Sequence, residues 1–115
     1  MARKKFKCVE KLQTIIMKKI YRCLHSFVGY TLKITVDDTC LYIQLIVLQQ
    51  TTEQSVVKHI PIENIDNDNY KQLAFEIVQQ LLKSSQSLLT DNTICQEIEC
   101  YLYRVGTYGR SFCKN

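Results

Sequence analysis

The run Leu41-Tyr42-Ile43-Gln44-Leu45-Ile46-Val47-Leu48 constrains this chain more than any other segment. It is rich in β-branched and apolar residues. Leu41, Ile43, Leu45 and Val47 alternate onto one face of an extended strand, and Tyr42, Gln44, Ile46 and Leu48 onto the other. A strand apolar on both faces needs neighbours, so this one is expected at the centre of a sheet. Its partners are close in sequence. Tyr30, Leu32, Ile34 and Val36 alternate with Thr31, Lys33 and Thr35, and Asp37-Asp38-Thr39 supplies a turn. Val56–Ile60 reads as a third strand. Gln49–Gln54 reads as a polar loop before it, and Pro61 closes the strand or marks a sheet edge. Turns this short favour an antiparallel meander.

Helical periodicity flanks the strands. Over residues 6–27, Val9, Leu12, Ile16, Ile20, Cys23 and Phe27 recur at spacings of three and four, forming one apolar stripe, and Gly29 suits its end. A second helix carries Tyr70, Leu73, Ile77 and Leu81 inward, with Asp68 or Asn69 as its cap. Ser84–Ser87 reads as a frayed end or a break, after which Leu88 and Leu89 tuck into the core. A third helix is expected from Ile94 to Arg104. Thr93 and Gln96 stand in capping-box register there, and Gly106 stands at C′. The alternation of Ile98, Cys100 and Leu102 also fits a strand.

The expected architecture is therefore α+β. It has an αβββα core, in which helices cover one face of a three-stranded antiparallel sheet, plus a C-terminal helix. The other face carries Thr31, Lys33, Thr35, Tyr42 and Gln44 toward solvent or a partner. Three glycines and one proline leave little material for linkers, so residues 1–105 read as one domain and 106–115 as a mobile tail.

Several classes of function are disfavoured. No apolar stretch approaches the ~20 residues of a membrane-spanning helix. Lys11, Lys18, Lys19 and Arg22 interrupt every candidate signal-peptide core. A cytoplasmic location is expected. The basic start also fits a mitochondrial transit peptide, although the same segment reads as part of the fold. In that setting Cys8, Cys23, Cys40, Cys95, Cys100 and Cys113 read as reduced thiols, small buried hydrophobes except for Cys113, which is expected to be exposed in the polar tail. Neither CxxC nor HxxxH is present to bind zinc. The chain contains no P-loop, GxGxxG or GxSxG motif, and Gly106–Ser111 lacks the Gly-Lys-Ser/Thr ending of a phosphate loop. Asp37-Asp38 reads as turn chemistry. Glu63, Asp66 and Asp68 suit the positive end of the second helix. His25 lies among cations, and His59 reads as a structural residue of the third strand. No catalytic residue and no cofactor are implied.

Charge is distributed unevenly. The total is +4, but residues 1–27 hold eight cations against Glu10 alone, a net +7, and the remainder of the chain carries −3. Lys7, Lys11, Lys18 and Arg22 project within roughly 60° of one another, opposite the apolar stripe. Thr14 and His25 share that line, and Arg3 and Lys4 extend it if the helix begins early. A basic line along one helix is the electrostatic footprint of a phosphate-binding surface, whereas merely solvated helix faces mix signs. A second patch, Tyr101, Tyr103, Arg104, Tyr108, Arg110, Phe112 and Lys114, interleaves rings and cations. Such a patch stacks on bases or anchors a protein partner.

The order αβββα over residues 7–86 resembles the double-stranded-RNA-binding domain, a module that reads duplex shape from one side. Two segments differ from that family. Its GPxH-type loop is replaced by Asp37-Asp38-Thr39, and the Lys-rich start of its second helix by Asn69-Tyr70-Lys71-Gln72. No RNA-contact residue carries over. A short Lys-, Ile-, Gln- and Asn-rich chain without a catalytic motif is also similar in kind to phage and mobile-element accessory proteins. Anti-CRISPR proteins, which block RNA-guided nucleases, are among them. The basic first helix suits an inhibitor gripping guide RNA or an acidic protein face rather than a DNA mimic. The expected function is therefore non-enzymatic binding of nucleic acid or a nucleoprotein. The alternative is an inhibitor or adaptor that docks on an acidic partner without nucleic acid.

Overall fold

A computed structural model describes residues 3–24, 29–49, 51–90 and 92–106. The elements run α1 (Arg3–Leu24), β1 (Tyr30–Val36), β2 (Cys40–Gln49), β3 (Thr52–Pro61), a 3-10 turn (Ile62–Asn64), α2 (Tyr70–Gln86) and α3 (Asn92–Gly106). The α+β architecture is as the periodicities imply: one domain with a three-stranded antiparallel sheet in the order β1-β2-β3. The doubly apolar strand β2 is central, as its side-chain pattern requires.

One set of side chains builds the core. Leu41, Ile43, Leu45 and Val47 of β2 are buried, and β1 places Tyr30, Leu32 and Ile34 beside them. Onto this face pack Val9, Leu12, Ile16 and Ile20 of α1 with Ala74, Ile77, Val78, Leu81 and Leu82 of α2. Helix α3 adds Ile94 and Ile98 and rests on α1 and α2. No glycine or proline interrupts α1, so its 22 residues keep one continuous inner face. Val36, expected inward, is exposed, because it lies at the open end of an edge strand.

Several local readings are corrected. β3 begins at Thr52 rather than Val56, so four of the six residues of the supposed loop are strand. Leu48 pairs with Glu53 and Gln49 with Thr52, leaving only residues 50 and 51 to turn. These side chains face solvent, so polar residues are compatible with strand, and the ladder to β2 satisfies the backbone. Helix α2 runs through Ser84 and Ser85 to Gln86, and Ser87 is its C-cap. Ser85 is buried, and its hydroxyl donates to the Leu82 carbonyl at 3.0 Å. Leu89 then turns into the core. Neither Asp68 nor Asn69 caps α2 through its side chain. Asp66 instead accepts from the backbone N–H groups of Asp68 and Asn69, and Asn69 reaches back to the Asn64 carbonyl. Helix α3 starts at Asn92, so Thr93 lies inside its first turn, and Gly106 is its last residue rather than C′. The strand alternative for this segment does not hold. The expected mobile tail beyond Gly106 lies outside the described residues.

Cys100 is disulfide-bonded, against the expectation that all six cysteines stay reduced. Spacing along the chain does not reveal which sulfurs approach within bonding geometry. Cys8 and Cys23 are buried and Cys40 and Cys95 half-buried, and none of these four is in a disulfide.

The β1–β2 turn is held by one carboxylate. Asp37 Oδ1 accepts from the Thr39 N–H at 2.7 Å, the Thr39 hydroxyl at 2.9 Å and the Cys40 N–H at 2.7 Å. These donors, the Cys40 N–H foremost, hold its carboxyl below the ordinary 3.8. A depressed carboxyl stabilises the fold fully above that ordinary value. The contribution disappears as pH falls through the lower folded value. Thermal melts between pH ~7 and pH ~2 should show Asp37→Ala less stable at neutral pH. The difference from wild type should shrink in acid, and a difference that persists there contradicts this role.

Candidate nucleic-acid interface

Helix α1 turns the cation line into a surface. Lys7, Lys11, Lys18 and Arg22 are exposed, and Val9, Leu12, Ile16 and Ile20 are buried on the opposite side. At 1.5 Å per residue, Lys7 to Arg22 spans about 22 Å along the axis. Thr14 lies exposed between them, its hydroxyl donating to the Glu10 carbonyl at 3.0 Å. No carboxylate falls on the line itself, since Glu10 projects to its flank.

The structure divides the cations whose side chains it describes into different roles. Lys5 is half-buried and donates to the Ile65 carbonyl, tying the start of α1 to the loop before α2. The ammonium of Lys19 lies 5.5 Å from the Phe75 ring centre, and that of Lys11 lies 5.6 Å from the Tyr70 ring centre. Lys5 and Lys19 therefore serve the α1–α2 contact, which the charge arithmetic could not separate. Lys11 does both: its head rests over Tyr70 and stays on the exposed line. Lys4 falls in the first turn of α1, and its side chain lies outside the described residues, as does His25.

The positions of these cations oppose the local preference of a helix. The first turn of α1 contains no acidic residue and instead holds Arg3, Lys4 and Lys5, with Lys7 next. Cations near a helix N-terminus meet the positive end of the macrodipole, at about 0.3–1 kcal/mol each when exposed. Only Arg22, in the last turn, is favourably placed. Helix stability alone does not explain the line.

Beside the cations runs an apolar flank that periodicity analysis did not single out. Phe6, Met17 and Tyr21 are exposed there. Met17 and Tyr21, with Gln13, form one wall of a groove of about 580 Å³, and Tyr30, Leu32 and Ile34 of the edge strand form the other. Burial, and then the neighbouring Tyr21, raise the Tyr30 phenol above its ordinary 10.0, so the Tyr30 ring stays neutral wall material. The helical spacing 6, 13, 17, 21 was the available signal, masked by the stronger core stripe.

The C-terminal patch is only partly placed. Tyr103 is exposed on α3, whereas Tyr101 is half-buried against the core. The side chain of Arg104, and all of Tyr108, Arg110, Phe112 and Lys114, lie outside the described residues.

His59, expected as a structural residue, is exposed on the sheet face away from the helices, its ring centre 6.2 Å from that of Tyr42. Tyr42 itself is raised above the ordinary 10.0, first by the neighbouring Cys40 and also by Asp37. Among the described residues, no three His, Cys, Asp or Glu side chains group as metal ligands, and no helix is long and apolar enough to cross a membrane. No protein-family model matches this chain, and neither a curated protein nor a solved structure does.

Proposed function

We propose that this chain is a non-enzymatic binding protein that engages nucleic acid, free or within a nucleoprotein such as an RNA-guided nuclease, through the exposed line of α1. The observation that carries the reading is the 22-residue helix with Lys7, Lys11, Lys18 and Arg22 on its outer face and no anion among them. Phosphate binding by such a line is electrostatic, so its signature is salt dependence. Four phosphate contacts on a duplex predict that log K falls with log salt at a slope of about −3.6. Duplex RNA, duplex DNA and single strands titrated at several salt concentrations measure that slope. No affinity at low salt, or a slope near zero, rejects the reading. A cytoplasmic site of action belongs to the same proposal.

A second reading rests on the apolar flank. Phe6, Met17 and Tyr21 beside the cations suit an acidic protein surface with an apolar centre, as in a protein-directed inhibitor or adaptor. Capture from host extract with and without nuclease separates the two. Retention of one acidic protein after nuclease treatment favours the second, and its loss favours the first.

A further inference from the structure

The sheet has a face that no element of the described structure covers, and its composition is unlike that of α1. Directly paired residues share a face, so the registers of β1, β2 and β3 define its rows. Thr35, Tyr42 and His59 form one row. Lys33, Gln44 and Val57 form the next, then Thr31, Ile46 and Ser55. Leu48 and Glu53 form the last. Tyr42 is 40% exposed, Leu48 47% and Val57 54%. The only fixed charges, Lys33 and Glu53, sit on the two edge strands, and the central strand contributes none. An uncharged centre with charges at its rim is the composition of a contact surface.

We infer that this face is a self-association surface, on which a second copy of the chain packs sheet on sheet. The two-fold axis lies between the sheets and runs across the strands, so that Glu53 of each copy meets the partner's His59. The ladder rows select this arrangement from the two in-plane axes available. An axis across the strands, midway between the Gln44 and Ile46 rows, exchanges the first row with the last. Tyr42 then covers the partner's Leu48, and the Glu53 carboxylate accepts a hydrogen bond from the partner's His59 imidazole, at both ends of the interface. Lys33 falls over the partner's Thr31 at the rim, where its stem lies on the sheet and its ammonium reaches water. An axis along the strands instead sets Lys33 on the partner's Val57 and leaves Glu53 without a donor. Aligned strands also match the usual geometry of stacked sheets.

The interface is small. Strand spacings of about 4.8 Å and rises of about 3.3 Å per residue give a plan of roughly 15 by 22 Å. That lies below the ~800 Å² per partner of a standard stable complex, so the dimer is a weak, reversible one.

Sedimentation equilibrium on the full chain from ~10 µM to ~1 mM is the first measurement, and the mass should rise from that of one chain toward two. Tyr42→Glu should raise the dissociation constant about tenfold or more, by placing a carboxylate over the partner's Leu48. Val57→Lys is a second variant on the same face, and circular dichroism confirms that both fold. The axis is tested by charge exchange. Glu53→Lys and His59→Glu should each weaken the dimer several-fold, about 3–10, and the double exchange should restore it. A chain that stays monomeric at every concentration overturns the inference. So does a dimer indifferent to both Tyr42→Glu and Val57→Lys, or a double exchange no tighter than the single ones. A monomer whose Tyr42 and His59 resonances move only when a single-stranded oligonucleotide is added also overturns it, since bases are then the occupant.

Discussion

Replacing Lys7, Lys11, Lys18 and Arg22 together with Glu should abolish duplex binding while leaving the fold intact. Each phosphate contact contributes about 0.9 to the slope of log K against log salt, which at 0.1 M salt amounts to nearly tenfold in affinity. Losing four contacts predicts a fall of about three to four orders of magnitude and a salt slope close to zero. All four side chains are exposed, and substitutions at such positions usually change stability by about 0.5 kcal/mol or less. Lys11 is the member with a packing role, over Tyr70, so Lys11→Glu should show the largest stability change of the four single variants. The comparison that gives the test its force is Lys5→Gln with Lys19→Gln. Both are cations of the same helix but are engaged in the α1–α2 contact. They should lower the melting temperature more than the affinity. Equal losses of affinity from this pair and from the exposed line would mean that overall charge, not the line, does the binding.

Leu45→Ala should be the most damaging single change to the fold. Leu45 is fully buried at the middle of the central strand, paired on one side with Leu32 and on the other with Val56, beneath the helices. Truncation of such a leucine costs about 2–5 kcal/mol, part lost transfer energy and part cavity. Against a total stability of about 5–15 kcal/mol for a domain of this kind, that is a large share of what keeps the chain folded. Leu48→Ala is the matched control, since Leu48 occupies the same strand but faces outward and is 47% exposed. In dilute solution it should cost well under 1 kcal/mol. Urea unfolding of the two variants reads the difference directly. Similar midpoints would mean that the two faces of β2 are not distinguished as described.

The contrast between those two leucines illustrates what local sequence can and cannot say. The spacing of Val9, Leu12, Ile16 and Ile20 identifies a helix and its inner face, because side chains three and four apart must share a side of any α-helix. The same arithmetic places Lys7, Lys11, Lys18 and Arg22 together on the outer side, so the candidate interface was readable before any coordinates. The alternation in β1 and β2 is equally local, and the doubly apolar β2 could only be central. The polar start of β3 was not readable in this way. Thr52 to Ser55 have no inward apolar pattern, and they are strand because β2 offers them a ladder.

Other features depended on which distant groups come together. That Lys5 and Lys19 hold α1 to α2 depends on where Ile65 and Phe75 end up. Gln49 bridges the end of β2 to the segment before α3, its amide nitrogen donating to the Leu88 carbonyl at 2.6 Å and its oxygen accepting from Thr90. The disulfide at Cys100 and the juxtaposition of Tyr42 with His59 are of the same kind. The sequence by itself determined the elements, their inner faces and the basic line, because each is a short-range periodicity of one helix or strand. Tertiary structure alone decided which cations tie α1 to its neighbours, how far β3 extends and which β3 residues join the open sheet face. Those outcomes follow from cross-strand register and long-range contact, and no local spacing encodes either.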